Sequence, residues 1–266
     1  MAGGNQVSGY ILCQTKRAEL PYFIENISMN IYSIEELCYY LYHNLYLVDT
    51  SVINEDLCVW IQMELELPAL ASKLHAKLGG AVCTEEILYP IFKEINYLTY
   101  EELKSLNVRL QKLNAEPEAI RDKQKADALM ENDMYVHAIQ VYRELLEKGN
   151  LEEFREGLTE CVYHNLGCAY SYLFQMEKAL DCFRRAYEGS RSRVSLEAYL
   201  IVFGLTRTPG EYEKMAKSLG AEKEVLQNIR DRLKAFSQIP EIPIDEKNMD
   251  AVLNRLTREY HRSTGS

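Results

Sequence analysis

Apolar positions recur at intervals of three and four along most of the chain, the spacing that gathers side chains on one face of a helix. Local capping signals divide this pattern into elements. Ser33-Ile34-Glu35-Glu36 reads as a capping box opening an aromatic-rich helix that runs to about Val48. Asn54 caps a second helix carrying Leu57, Trp60, Ile61 and Leu65. Pro68 suits the first turn of a third helix, and Gly79-Gly80 ends it. Thr84 caps the next, which Pro90 kinks or shortens. Thr99-Tyr100-Glu101-Glu102 is a further capping box, opening a helix to about Leu113, and Pro117 starts another. Helical periodicity then runs almost unbroken to Phe236. The exception is Tyr10 to Met29, where Tyr22, Ile24 and Ile27 fit a short strand or an extended arm.

Ser237 to Glu246 holds Pro240 and Pro243 and reads as a linker, with a reach on the order of 25–30 Å. A last helix follows from about Lys247 to His261, with an apolar stripe of Met249, Val252, Leu253, Leu256 and Tyr260. A helix this short needs a surface to dock on. Folding back on its own chain is the simpler arrangement; crossing to a second subunit would make a homodimer. The expected organisation is a helical N-terminal module over 1–115, helical repeats over 116–236, and a linker with a C-terminal helix over 237–266.

Shifting the chain by 41 residues superposes two segments. Ala126 falls on Gly167, Leu129 on Tyr170, Tyr135 on Met176, Ala138 on Ala179, Ile139 on Leu180, Tyr142 on Phe183 and Leu145 on Ala186. Small meets small and large meets large, as expected for antiparallel helix pairs with small residues at the close crossing. The second copy, Tyr163-x2-Leu166-Gly167-x2-Tyr170 followed by Ala179-x3-Phe183-x2-Ala186, resembles the tetratricopeptide repeat family. The first copy departs from the pattern at Asp122 and Lys125, and the closing proline is missing from both. The period exceeds the family's by about two helical turns, placed around Lys148 to Glu156 as an extension of the helices. A third, more divergent pair uses Leu196, Tyr199, Leu200 and Phe203, then Tyr212, Met215 and Leu219. The resemblance covers residues 118–190 and implies an all-α solenoid of antiparallel helix hairpins.

In this family the first helix of each pair faces a concave surface. Residue by residue, the resemblance implies a partner-binding face made of Lys123, Asp127, Met130 and Glu131 in the first copy, and His164, Cys168, Ser171 and Tyr172 in the second. Asp127 and Glu131, four apart, would form one acidic edge suited to a partner's Lys or Arg. The implied function is a non-catalytic scaffold or adaptor that binds a protein or peptide.

Composition narrows the alternatives. The net charge of -10 disfavours general nucleic-acid binding. No apolar run approaches the ~20 residues of a membrane span, and Met1 to Gly9 does not read as a secretory signal. Seven cysteines scattered through helical patterns suggest thiols in a reducing, cytoplasmic setting rather than a disulfide framework. Cys161, His164 and Cys168 share one helix face, but a closed zinc site takes four ligands, so no metal or cofactor is expected. The tyrosines 39, 40, 42 and 46 read as core packing more readily than as a pocket lining. A second reading is a repeat-containing transcription regulator, whose hairpin 212–230, turning at Gly220, has the rough spacing of a helix-turn-helix. Against it, the would-be reading helix opens on Ala221-Glu222-Lys223-Glu224, two acids facing phosphate. A third is an enzyme, although no Gly-x-Ser-x-Gly, His-Glu-x-x-His or phosphate-cradling glycine loop is present and no catalytic residue stands out.

Overall fold

Caps and turns decide where this chain changes direction. The computed structural model describes residues 15–78, 84–237 and 248–264. The readings that rest on Met1 to Gly9, on the start of the segment from Tyr10, on Gly79-Gly80 and on the proline segment 238–247 lie outside these residues. The described chain is all-helical apart from two short strands, and it divides into two compact units, Met1–Glu116 and Pro117–Ser266.

The first unit opens on an antiparallel hairpin of β1 (Tyr22–Ile24) and β2 (Met29–Ile31), with Tyr22 opposite Ile31. Ile24, Ile27 and Ile31 point into the core at 0–1% exposure. Five helices follow: α1 (Ile34–His43), α2 (Glu55–Met63), α3 (Pro68–His75), α4 (Thr84–Glu94) and α5 (Tyr100–Ala115). The hairpin is tied to its helices by polar groups at the core's edge. The Trp60 indole donates to the Leu20 carbonyl at 2.8 Å, and the Tyr22 hydroxyl to the Val52 carbonyl at 2.9 Å. Ser33, Asn54 and Thr99 each cap their helix with a side-chain oxygen, as the sequence predicts.

Three expectations need correction here. The helix from Ser33 stops at His43, not near Val48. Asn44 turns out of the helix and sends both its backbone N–H and its side-chain amide to the Tyr40 carbonyl. A 3-10 turn then buries Leu45 and Leu47. Secondly, the tyrosine group is split by helical geometry. Tyr40 is fully buried, whereas Tyr39 and Tyr42, three apart on α1, lie on a more open face, and Tyr46 is half-buried in the 3-10 turn beyond the helix. There Arg109 covers the Tyr42 ring at 5.1 Å, and the Tyr46 hydroxyl donates to Glu116 at 2.9 Å. Thirdly, Pro90 does not shorten α4, which continues to Glu94.

The second unit comprises α6 (Glu118–Glu131), α7 (Tyr135–Lys148), α8 (Leu158–Tyr172), α9 (Met176–Ser190), α10 (Arg193–Thr206), α11 (Pro209–Ser218), α12 (Lys223–Ser237) and α13 (Met249–Thr264). From α6 to α11 each helix packs on the next. Lys148 at the end of α7 bonds Glu118 and Asp122 at the start of α6, both at 2.8 Å, so these two helices run antiparallel. In α8 and α9, Tyr163 meets Arg185 and Gly167 meets Phe183, which gives the same sense.

The 41-residue shift reappears as geometry. Asp133 and Phe174 occupy the same turn position with φ of 61° and 55°. The next residue, Met134 or Gln175, donates at 2.9 Å to the carbonyl five back, Leu129 or Tyr170. This is the Schellman arrangement that closes a helix end. Ala138 and Ala179 are both fully buried, and so, nearly, are Tyr142 and Phe183. The extra residues between the copies do not lengthen the helices, contrary to expectation. Gly149 and Gly157, with φ of 68° and 72°, bracket a short loop holding a 3-10 turn at Leu151–Glu153. Both glycines adopt a left-handed backbone that would strain other side chains.

Candidate functional site

The first helices of two successive pairs, α6 and α8, carry the side chains that sequence register assigns to partner binding. Their core stripes, such as Ala126 and Leu129 or Leu166, Gly167 and Tyr170, are buried against neighbouring helices. Off these stripes, the eight candidate residues fall into different environments.

Asp127 is the centre of a polar knot. Its Oδ1 accepts from the Tyr142 hydroxyl at 2.5 Å and from the Asn165 amide at 2.9 Å, and its Oδ2 is paired with the Lys123 ammonium. One carboxylate therefore ties α6 to both α7 and α8. Lys123 and Asp127 keep only 15% and 22% of their side-chain surface. Burial, reinforced by the Asp127 carboxylate, pushes the Tyr142 hydroxyl well above the ordinary tyrosine range, so it stays a donor. The expected acidic edge is thus not formed: Asp127 turns its charge inward to Lys123, and Glu131 alone of the two is exposed.

His164 makes the corresponding link from α8 to α10, with Nδ1 3.2 Å from the Ser195 hydroxyl and its ring edge-on to Phe183. Burial lowers its pKa below the ordinary histidine value of 6.5. A base whose folded pKa lies below its unfolded one favours the neutral form in the fold. Stability is then complete above about pH 6.5 and falls as pH drops below it toward the folded pKa. We expect the wild type to lose more stability between about pH 7.5 and about pH 5.5 than His164→Gln, read as the shift in urea midpoint. Parallel pH dependences would show that His164 carries no such linkage.

Cys168 is half-buried, and burial raises its thiol pKa to about 11, which leaves it a poor nucleophile. The Ser171 hydroxyl donates to the Gly167 carbonyl at 2.8 Å and Met130 is half-buried. Tyr172 is different: 60% exposed, its ring lies flat on Tyr135 at 4.4 Å with 3° between planes. Of the eight positions, Glu131 and Tyr172 offer themselves to solvent most openly. Cys161 is exposed while His164 is engaged by Ser195. Among the described residues no group of three or more His, Cys, Asp or Glu is placed to hold a metal ion.

Sequence register missed three features. Phe174, in the α8–α9 turn, is 82% exposed two residues beyond Tyr172. Tyr135, expected only as a packing residue, is the ring beneath Tyr172. On α10, Val194 and Leu205 are 64% and 46% exposed. The signal for the last was present: apolar residues cover most of the circumference of α10, more than the one face that a core can bury.

Elsewhere in this unit, an open cleft of about 510 Å³ between α7, α8 and α9 is lined by Arg143, Tyr163, Tyr170, Lys178 and Asp181 among others. Its charges are already engaged, Asp181 by Arg184 and Arg185, and Lys178 over the Tyr170 ring at 5.3 Å. The 212–230 hairpin turns at Gly220 with φ of 62°, and Glu222 and Glu224 at the head of α12 are exposed. Among the described residues no helix is long and apolar enough to cross a membrane. Compared with known proteins, the chain matches no family model, no curated protein and no solved structure.

Proposed function

We propose that the second unit is a tetratricopeptide-like array of helix hairpins that binds a protein or peptide on the face of α6 and α8, and that the protein is a non-catalytic adaptor. The observation that carries this reading is Tyr172, an exposed ring fixed in place by its stack on Tyr135. An aromatic side chain already immobilised loses little entropy on binding and offers a large apolar surface with a polar tip. Phe174 adds a second exposed ring, and Glu131 an exposed carboxylate. These favour a ligand with an apolar or proline-rich stretch and a nearby Lys or Arg.

Peptides selected from a displayed library against the full chain test this. Tyr172→Ala with Glu131→Gln should weaken the selected peptides at least about tenfold, the range of a modest hot spot. Both positions are exposed, so the fold should persist by circular dichroism. Equal affinity for wild type and variant would remove this face from consideration. Asp127→Ala is unsuitable as the probe, because it would disturb packing as well as any ligand contact.

A further inference from the structure

Two apolar bands of the second unit remain exposed at once. On α10, at 100° per residue, Val194, Ala198, Ile201 and Leu205 fall within about 60° of one another. Val194 and Leu205 are 64% and 46% exposed, and the other two half-exposed. The remaining faces of α10 are occupied: it packs on α9, α11 and α12, and Ser195 reaches His164 of α8. On α13, Met249, Val252, Leu253, Leu256 and Tyr260 form a second band, 37–62% exposed although α13 lies along α7.

The bands match. Each runs over eleven residue steps, 194 to 205 and 249 to 260, about 16 Å at helical rise. Each is edged by the same ion pair, an Arg followed four residues later by a Glu: Arg193 with Glu197 at 2.8 Å, and Arg255 with Glu259 at 3.7 Å. By helical geometry both pairs lie on the same rotational side of their band. Helices laid face to face and antiparallel bring same-side edges together in reversed order. Arg255 then meets Glu197 and Glu259 meets Arg193, each within about 3 Å along the axis when the bands are centred. A parallel arrangement opposes different edges and forfeits both contacts.

We propose that α13 of one copy docks antiparallel on the α10 band of a second copy, and that the exchange is reciprocal. Within one chain α13 comes near α7 with its side chains through His261 exposed, and the α10 band stays open. A second copy supplies each band's complement, and a two-fold arrangement uses both bands of both chains. The proposal uses neither Glu131 nor Tyr172 and stands apart from the peptide-binding reading. Two contacts of this size lie at the low end for a protein pair, so the dimer should form in the micromolar range.

Sedimentation of the full chain across micromolar concentrations tests it, with two surface variants. Val194→Asp/Leu205→Asp spoils the α10 band, and Leu253→Asp/Leu256→Asp the α13 band. Each variant alone should be monomeric, with wild-type circular dichroism. An equimolar mixture should regain a heterodimer, because one chain brings an intact α13 and the other an intact α10. With one of two contacts left, its Kd should be at least tenfold weaker than that of the wild type. Should either variant fold poorly, Arg255→Glu and Glu197→Arg provide a gentler pair, each weakening the dimer and the double variant restoring it. A wild type monomeric throughout, a dimer surviving in either variant alone, or a mixture without heterodimer would each overturn the proposal. The second of these would point to pairing of like bands, the first to α13 serving its own chain or another partner.

Discussion

Gly167→Leu is expected to destabilise the second unit by about 3 kcal/mol or more, at the upper end of overpacking costs. The reason is the crossing of α8 and α9. A Cβ placed on Gly167 would lie 2.8 Å from two carbons of the Phe183 ring, closer than real Cβ contacts come. Phe183 is 3% exposed and its ring meets His164 edge-on, so it has little room to withdraw. Even Gly167→Ala should cost about 1–2 kcal/mol, and leucine adds three more carbons to the same crowded place. Pairing Gly167→Leu with Phe183→Ala should recover part of the loss, because the ring that clashes is gone. Urea denaturation of the four proteins measures this. An unchanged midpoint for Gly167→Leu would mean that the helices do not cross as closely as described.

Asp127→Ala is the second large effect, expected to cost about 2–4 kcal/mol. Removing the carboxylate strands three groups at once: the Lys123 ammonium, the Tyr142 hydroxyl and the Asn165 amide. Tyr142 is fully buried, so its hydroxyl cannot turn to water. The loss stays below that of a deeply buried pair because Asp127 keeps some solvent contact. A double-mutant cycle with Tyr142→Phe isolates the mechanism. In the wild-type background Tyr142→Phe should cost about 1 kcal/mol; in the Asp127→Ala background it should cost almost nothing, since the hydroxyl is already without its acceptor. Simple additivity of the two substitutions would rule out the described contact.

What the sequence made legible was local. Asn54 and Thr99 cap their helices because the bond to the third residue on depends on adjacent residues alone. Thr208 and Glu211 form the same capping box, which sequence reading passed over although the signal was equally plain. The paired small residues Ala138 and Ala179 were readable because a crossing imposes size wherever it recurs. The site was less readable. Register placed Asp127 off the core stripe, but its partners Tyr142 and Asn165 stand 15 and 38 residues away, and only the folded chain brings them in. The same holds for the ring beneath Tyr172, which comes from a different helix pair. Loops were misread where a helix could end for reasons not confined to one turn. The segment after Lys148 has the charge and spacing of a helix, yet two left-handed glycines take it elsewhere.

The chain's single tryptophan gives the two units separate voices. Trp60 is 6% exposed, lies 5.7 Å from the Tyr22 ring and belongs wholly to the first unit. Indole emission, excited beyond the tyrosine band, therefore follows the melting of the β-hairpin and α2, whereas far-ultraviolet ellipticity follows helices in both units. If the two units unfold as separate cooperative steps, substitutions at Gly167 and Asp127 will move the ellipticity curve while the emission curve keeps its midpoint; midpoints that move together would show that the units unfold as one.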